Sequence, residues 1–243
     1  MKDQYIFGIR PVIEAIRSGK EIERLFIQND LKGENSRELL ELLKKKRVRY
    51  SRVPVQKLHK ITRKNHQGVV CLMALINYSS IETVVPWVYE KGLSPLILIL
   101  DGITDVRNFG AIVRTAECAG VNAVIIPEKG GAQINADAMK TSAGALNNVP
   151  ICKSLSLVSS IEFLKQSGLQ IIACTEKAED IVRGLDFSIP TGIILGSEDK
   201  GISSECLRCA DSCGYIPMTG NIGSLNVSVA AGMVLYETMR QRS

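Results

Sequence analysis

Three polar clusters hold the residues best suited to chemistry. The first is Asp101-Gly102-Ile103-Thr104-Asp105-Val106-Arg107-Asn108-Phe109-Gly110, followed four residues later by Arg114. The second is Gly196-Ser197-Glu198-Asp199-Lys200-Gly201, and the third runs from Met218 through Gly220, Gly223 and Ser224 to Asn226. Amide, guanidinium, carboxylate and hydroxyl groups next to permissive glycines suit a pocket that holds a neutral or cationic cofactor beside a polar substrate. Several other chemistries lack their residues. No GxGxxG follows a strand pattern, no GxxxxGK[ST] occurs, and no GxSxG elbow is present. Both histidines, His59 and His66, lie far from these clusters in the chain, which disfavours a Ser-His-Asp hydrolase.

Each cluster follows a short apolar run. Runs at 96–100, 123–126, 169–174, 192–195 and 214–217 read as strands, separated mostly by helical patterns. That alternation predicts an α/β domain with a buried parallel sheet and helices on both faces. Ligands of such sheets bind beyond the carboxyl ends of the strands, where the clusters fall. Ser224, ahead of Leu225, Val229, Met233 and Tyr236 at helical spacing, reads as the N-cap of a last helix. Asn226, a weak helix former, would stand in its first turn.

The first third of the chain has another character. Of 243 residues, 30 are Lys or Arg and 25 Asp or Glu, but residues 1–81 hold 17 basic against 8 acidic ones. No acidic residue occurs between Glu41 and Glu82, a stretch that contains Lys44, Lys45, Arg47, Arg63 and Lys64. Such a one-signed segment points to a polyanion partner, although charge runs also serve as solvated surface. The patterns predict a helix over 11–18, a strand over 24–28, a helix over 36–46 capped by Ser36, a half-buried strand over 47–53, a short helix over 55–62 and an apolar strand over 68–76. The expected organisation is a small α/β domain over 1–77, a linker with one short helix over 78–94 and a catalytic α/β domain over 95–243.

Composition bounds the rest. With 45% hydrophobic and 23% charged residues the chain is an ordinary globular protein. Its longest apolar run, Val69 to Ile76, is too short to span a bilayer, and the start lacks the apolar core of a secretory signal, so a cytoplasmic protein is expected. The seven cysteines read as small buried hydrophobes. Cys206, Cys209 and Cys213 lack a nearby fourth ligand, and no metal is expected.

The three clusters resemble the signature motifs of the SpoU/TrmH family of RNA ribose 2′-O-methyltransferases, within the SPOUT superfamily. The motifs stand here as Asn108-Phe109-Gly110-Ala111-Ile112-Val113-Arg114, as Ile194-Leu195-Gly196-Ser197-Glu198-Asp199-Lys200-Gly201, and as Ile216-Pro217-Met218 with Gly223-Ser224-Leu225-Asn226-Val227. Phe7-Gly8-Ile9-Arg10-Pro11 and Asn65-His66-Gln67-Gly68-Val69 are similar to the family's RNA-binding extension, whose fold resembles certain ribosomal proteins. Within the family the chain most resembles enzymes that methylate a guanosine ribose in large-subunit rRNA.

The resemblance implies S-adenosyl-L-methionine (AdoMet) as cofactor, ribosomal RNA as partner, a homodimer whose partner helps complete each pocket, and a trefoil knot near residues 190–230. It implies catalytic roles for Asn108, Arg114, Glu198, Ser224 and Asn226. Cofactor contacts would come from Thr175, Gly196, Ile216, Met218 and Leu225, and RNA contacts from Arg10, Lys44, Lys45, Arg47, Arg63, Lys64 and His66. Because a guanidinium almost never gives up its proton, Arg114 is better suited to gripping phosphate and stabilising a developing alkoxide than to acting as a base. On spacing alone it would equally pair with Glu117. A tRNA ribose as target, or a non-catalytic RNA-binding role, are the alternatives.

Overall fold

The computed structural model describes residues 5–243. The chain divides after Asn77 into two units. The first comprises β1 (Tyr5–Phe7), α1 (Ile9–Arg17), β2 (Ile22–Gln28), α2 (Glu34–Lys45), β3 (Ser51–Val53), α3 (Val55–Ile61) and β4 (Val69–Met73). Its four strands lie in the order β1-β4-β2-β3, with β4 antiparallel to both neighbours and β3 parallel to β2. Ile9, Val12, Ile13 and Ile16 of α1 and Leu39 and Leu43 of α2 pack on Leu25, Ile27, Val69 and Cys71 of the sheet. Val53, Leu58 and Val70 form a smaller cluster under α3.

The second unit opens with β5 (Tyr78–Ser79) and α4 (Ile81–Glu90), then β6 (Leu96–Asp101), α5 (Val106–Cys118), β7 (Ala123–Pro127), α6 (Ala136–Thr141), β8 (Ile151–Ser154), α7 (Leu157–Gln166) and β9 (Gln170–Cys174). It closes with β10 (Asp180–Ile181), β11 (Thr191–Gly196), α8 (Ser204–Cys209), β12 (Ser212–Tyr215) and α9 (Val227–Arg242). All eight strands pair in parallel, in the order β10-β12-β9-β11-β6-β7-β8-β5. From β6 the chain first builds outward through β7 and β8, then crosses back to lay β11 on the other side of β6 and β12 beyond β9. The order therefore reverses at β6/β11, the place where open parallel sheets leave a crevice.

Four sequence expectations change. Residues 78–94, expected as a linker with one short helix, contribute β5 and the ten-residue α4, whose Ile81, Val84, Val85 and Val88 join the core of the second unit. Their spacing of three and four is helical, but Ser79, Ser80 and Pro86 obscure it; Pro86 sits exposed within the helix. The last strand is Ser212–Tyr215 rather than 214–217, because a polar start with little apolar signal takes the ladder position and Ile216 lies beyond it. Ser36 does not cap α2: Gly33 does, and the buried Ser36 Oγ donates to the Gly33 carbonyl from inside the helix. The strand expected over 47–53 begins only at Ser51.

Candidate active site

The carboxyl ends of β9, β11 and β12 converge on one cleft of about 200 Å³. Its floor and walls come from Cys174 to Lys177 after β9, the loop Ser197–Gly201 after β11, and Ile216, Met218, Ser224 and Leu225 between β12 and α9. Thr175 is fixed beside β12 by its N–H, which donates to the Gly214 carbonyl at 3.0 Å. The loop after β11 doubles back so tightly that Ser197 and Gly201 exchange backbone hydrogen bonds, at 2.8 and 3.2 Å. Gly196 is required there: a Cβ would lie 2.1 Å from the Gly201 carbonyl carbon and 2.2 Å from the Ile202 nitrogen. The far end of that loop is tied to β6, with the Ser203 N–H donating to Asp101 Oδ2 at 2.7 Å.

Beside the cleft, two side-chain amides and one backbone N–H meet on one carboxylate oxygen. Glu198 Oε1 accepts from Asn226 Nδ2 at 2.6 Å, from Asn108 Nδ2 at 3.2 Å and from the Val227 N–H at 3.3 Å. Asn226 Nδ2 also donates to Asn108 Oδ1 at 3.0 Å. The two amides are thereby oriented, and residues 90 and 118 positions apart in sequence are joined.

Local structure explains why these groups are held. Asp105 caps α5, accepting from the Arg107 and Asn108 N–H groups at 2.7 and 2.9 Å; those backbone donors hold its carboxyl below the usual range. Phe109 is fully buried, and Gly110 lets α5 lie against α6, since a Cβ there would meet the Ala138 carbonyl at 2.8 Å. Asn108 is thus placed by a cap before it and a packed dipeptide after it. The expected cap Ser224 is displaced by Asn226, whose Oδ1 accepts from the Ser228 and Val229 N–H groups and closes α9. The single amide of Asn226 therefore serves the helix with its oxygen and Glu198 with its nitrogen. At the other end of α9 the Arg242 guanidinium donates to the carbonyls of Ser94, Pro95, Phe187 and Ile189.

Among the expected site residues, Thr175, Gly196, Ile216, Met218, Leu225, Glu198 and Ser224 all line the cleft, and Asn108 and Asn226 attach to it through Glu198. Arg114 is not brought in. It is exposed on α5, and six residues beyond Asn108 places it roughly 120° around the helix. It does not pair with Glu117, which accepts from Asn148 Nδ2 instead. Ser197, Asp199 and Lys200 line the cleft as members of the second cluster, while sequence reasoning missed Glu176 and Lys177 as lining residues and Asp105 as the cap. Their position just past strand ends was the available signal.

The expected RNA-contact residues fall on separate elements of the first unit. Arg10 is exposed in the first turn of α1, and Lys44 and Lys45 are exposed in the last turn of α2 with Arg47 just beyond in a left-handed conformation, φ 53°. Arg63, Lys64 and His66 line a shallow concavity after α3.

Known proteins share this fold. The profile of the SpoU rRNA methylase family matches residues 95–236, and that of RNA 2′-O ribose methyltransferase substrate binding matches residues 5–79. The chain belongs to the SpoU rRNA methylase family. It is an RNA methyltransferase of the SpoU/TrmH type. A Bacillus subtilis protein named as a TrmH-family tRNA/rRNA methyltransferase, YacO, is 32% identical over 240 residues, covering 98% of this chain and 96% of its own. The crystal structure of the A. aeolicus TrmH/SpoU tRNA modifying enzyme is 35% identical over 66% of this chain and 83% of its own, with a TM-score of 0.57. An AdoMet-bound rRNA methyltransferase from Sinorhizobium meliloti shares the fold at 24% identity, covering 97% of this chain and 86% of its own, with a TM-score of 0.62. The methylase match lies within the second unit, and the substrate-binding match covers the first and runs two residues past Asn77. Among the described residues no helix is long and apolar enough to cross a membrane, and no group of three or more His, Cys, Asp or Glu is placed to hold a metal ion.

Proposed function

We propose that this SpoU-family protein transfers a methyl group from AdoMet to the ribose 2′-hydroxyl of a guanosine in large-subunit rRNA. The observation that carries the reading is the contact between the cleft and the Asn108–Glu198–Asn226 group. The lining fits AdoMet chemically: Leu195, Ile202, Ile216, Met218 and Leu225 offer apolar surface for a flat base, while Thr175, Glu176, Lys177 and Ser197 offer polar partners for a sugar and a zwitterionic tail. Thr175, Gly196, Ile216, Met218 and Leu225 would hold it, the glycine and the strand-end residues largely through backbone groups. When bound, AdoMet supplies an electrophilic methyl carried on a sulfonium.

The chain's own residues then position the acceptor. Glu198 fixes both amides. Asn226 spends its two N–H groups on Glu198 and Asn108 and its oxygen on the start of α9. Asn108, with one N–H and one lone pair left, is therefore the oriented group at the cleft's edge for the ribose hydroxyls. Lining up the reacting atoms contributes on the order of 7–11 kcal/mol for a well-oriented pair. The ribose 2′-hydroxyl would accept the methyl group that bound AdoMet supplies, and its proton would pass to the adjacent RNA phosphate. Arg114 grips that phosphate and stabilises the oxygen as it loses its proton.

Its position on α5, away from Asn108, is consistent with action across a dimer, where one protomer's Arg114 completes the partner's cleft. α9 offers the surface: Val229, Met233, Tyr236 and Met239 form an exposed apolar stripe at helical spacing. The trefoil knot near residues 190–230 belongs to the same reading.

Ribosomal RNA is favoured over tRNA by the separate basic unit, which has its own match to a substrate-binding family. The test is to incubate the protein with radiolabelled AdoMet and either unmodified 23S rRNA or tRNA, then map the modified nucleotide. A 2′-O-methylguanosine in rRNA is expected. Label in tRNA alone contradicts the substrate, and no label in either contradicts catalysis.

A further inference from the structure

The concavity in the first unit has the features of a binding pocket; the substrate-binding match covers the whole unit and does not say which part of it holds which feature of the RNA. One wall is the end of β2 and the turn that follows, with Asp30 and Lys32; the other is the end of α3 and the loop to β4, with His59, Arg63, Lys64 and His66.

His66 is the buried member, 7% exposed. Its Nδ1 accepts from the Gly68 N–H at 3.0 Å, so in the neutral ring the proton sits on Nε2. Among the described residues no buried side-chain nitrogen or oxygen lacks a partner, and no group of the fold bonds Nε2; that donor therefore opens to the concavity His66 lines. Burial and the neighbouring His59 lower the His66 pKa and so favour the neutral ring.

The loop carrying His66 is rigidly set. Gln67 (φ 48°) and Gly68 (φ 76°) are both left-handed, and a Cβ on Gly68 would lie 2.7 Å from Leu31 Cδ1 on the opposite wall. Gln67 Oε1 accepts from the Ile9 N–H at 3.2 Å, tying the loop to α1. A left-handed non-glycine residue held this way is an uncommon cost, and such costs cluster at ligand clamps.

The remaining groups define the ligand. The exposed His59 ring stands 5.1 Å from that of His66, inclined at 55°, and presents a flat face. Lys32, Arg63 and Lys64 supply positive charge, with the Lys64 ammonium held 5.2 Å above the Phe7 ring. Asp30 is the one acidic residue of the lining, and a carboxylate opposes a bare phosphate site. It suits the amino edge of a nucleobase instead. We infer that this concavity takes a single unpaired nucleotide of the RNA substrate, its base stacked on His59 and hydrogen-bonded by His66 and Asp30, its phosphates against Lys32, Arg63 and Lys64. Base edges are open in this way only in unpaired RNA. The inference rests on the reading of the protein as an RNA methyltransferase and adds which feature of the RNA the first unit recognises.

The experiment uses the full chain and a labelled short single-stranded oligoribonucleotide, with the same sequence annealed to its complement as control. Wild type should prefer the single strand. His59→Ala, an exposed change, should lower single-strand affinity about tenfold while duplex affinity moves by less than about twofold, because stacking is lost and charge is not. In parallel, a nucleoside 5′-monophosphate should shift the ring signals of His59 and His66 in NMR spectra. Equal single-strand affinity of wild type and His59→Ala, or unmoved histidine signals at saturating nucleotide, would overturn the pocket. Methyl transfer to rRNA together with either of those results overturns the pocket and leaves the proposed function intact. Selective single-strand loss in His59→Ala without methyl transfer to any RNA supports the pocket and removes the catalytic reading.

Discussion

The two units solve different problems with different economies of charge. The first carries 17 basic against 8 acidic residues over 1–81, and Arg10, Lys44, Lys45, Arg47, Arg63 and Lys64 are exposed on several elements. The second carries 13 basic against 17 acidic residues, and its candidate chemistry gathers on a single oxygen of Glu198. Recognition spread over many solvated cations loses little when one is removed. A site in which one carboxylate holds two amides and a helix start loses its geometry at once.

That contrast orders the expected effects. Gly196→Ala is the most damaging change, since its Cβ would overlap backbone at 2.1–2.4 Å and the loop 196–201 has no room to yield. Roughly 3 kcal/mol or more of stability should be lost, with AdoMet affinity falling too, as read by thermal melting and calorimetry. A variant with wild-type melting would mean that the turn at the end of β11 is not as tight as described.

Glu198→Ala comes next. Three donors lose their acceptor, and turnover should fall on the order of 100-fold, while melting changes little because Glu198 is exposed. Comparable turnover would show that the trio is a structural contact only. Asn226→Ala should cost about 1 kcal/mol of stability through the lost cap of α9 and lower turnover as well, whereas Ser224→Ala should leave stability unchanged. The reverse pattern in denaturant titrations would restore Ser224 as the cap.

The smallest effect belongs to the first unit. Lys44→Ala and Lys45→Ala should each weaken RNA binding uniformly across sequences and reduce the slope of log affinity against log salt by about 1. A tenfold loss from either alone would mean that recognition there is as concentrated as catalysis is in the second unit.

Much of this was legible in the sequence where burial on both faces leaves an uninterrupted apolar run. Strands expected at 96–100, 123–126, 169–174 and 192–195 appear within about one residue as β6, β7, β9 and β11. β12 was displaced because Ser212, Cys213 and Gly214 carry no apolar signature, and its place beside β9 is a tertiary choice. β8, Ile151–Ser154, was not expected at all: four residues with a lysine among them give no run. At the site, the motif residues were visible individually, but their meeting was not. No spacing rule joins Asn108 to Asn226, 118 residues away; only the crossover that sets β11 beside β6 does so. Asn226 as cap was hidden by the nearby Ser224, an equally good capping residue by type. His59 escaped notice as a pocket residue for the same reason, since its partner wall at Asp30–Lys32 is distant in sequence.

The central claim is that the loops after β9, β11 and β12 form a cofactor cleft abutting the Asn108–Glu198–Asn226 group. Its most direct test is a crystal structure of the protein with AdoMet. Density for the cofactor against Thr175, Gly196, Ile216, Met218 and Leu225 is expected, with its methyl group toward the Asn108 and Asn226 amides. AdoMet bound away from these loops, or with its methyl group turned from the two amides, would contradict the claim.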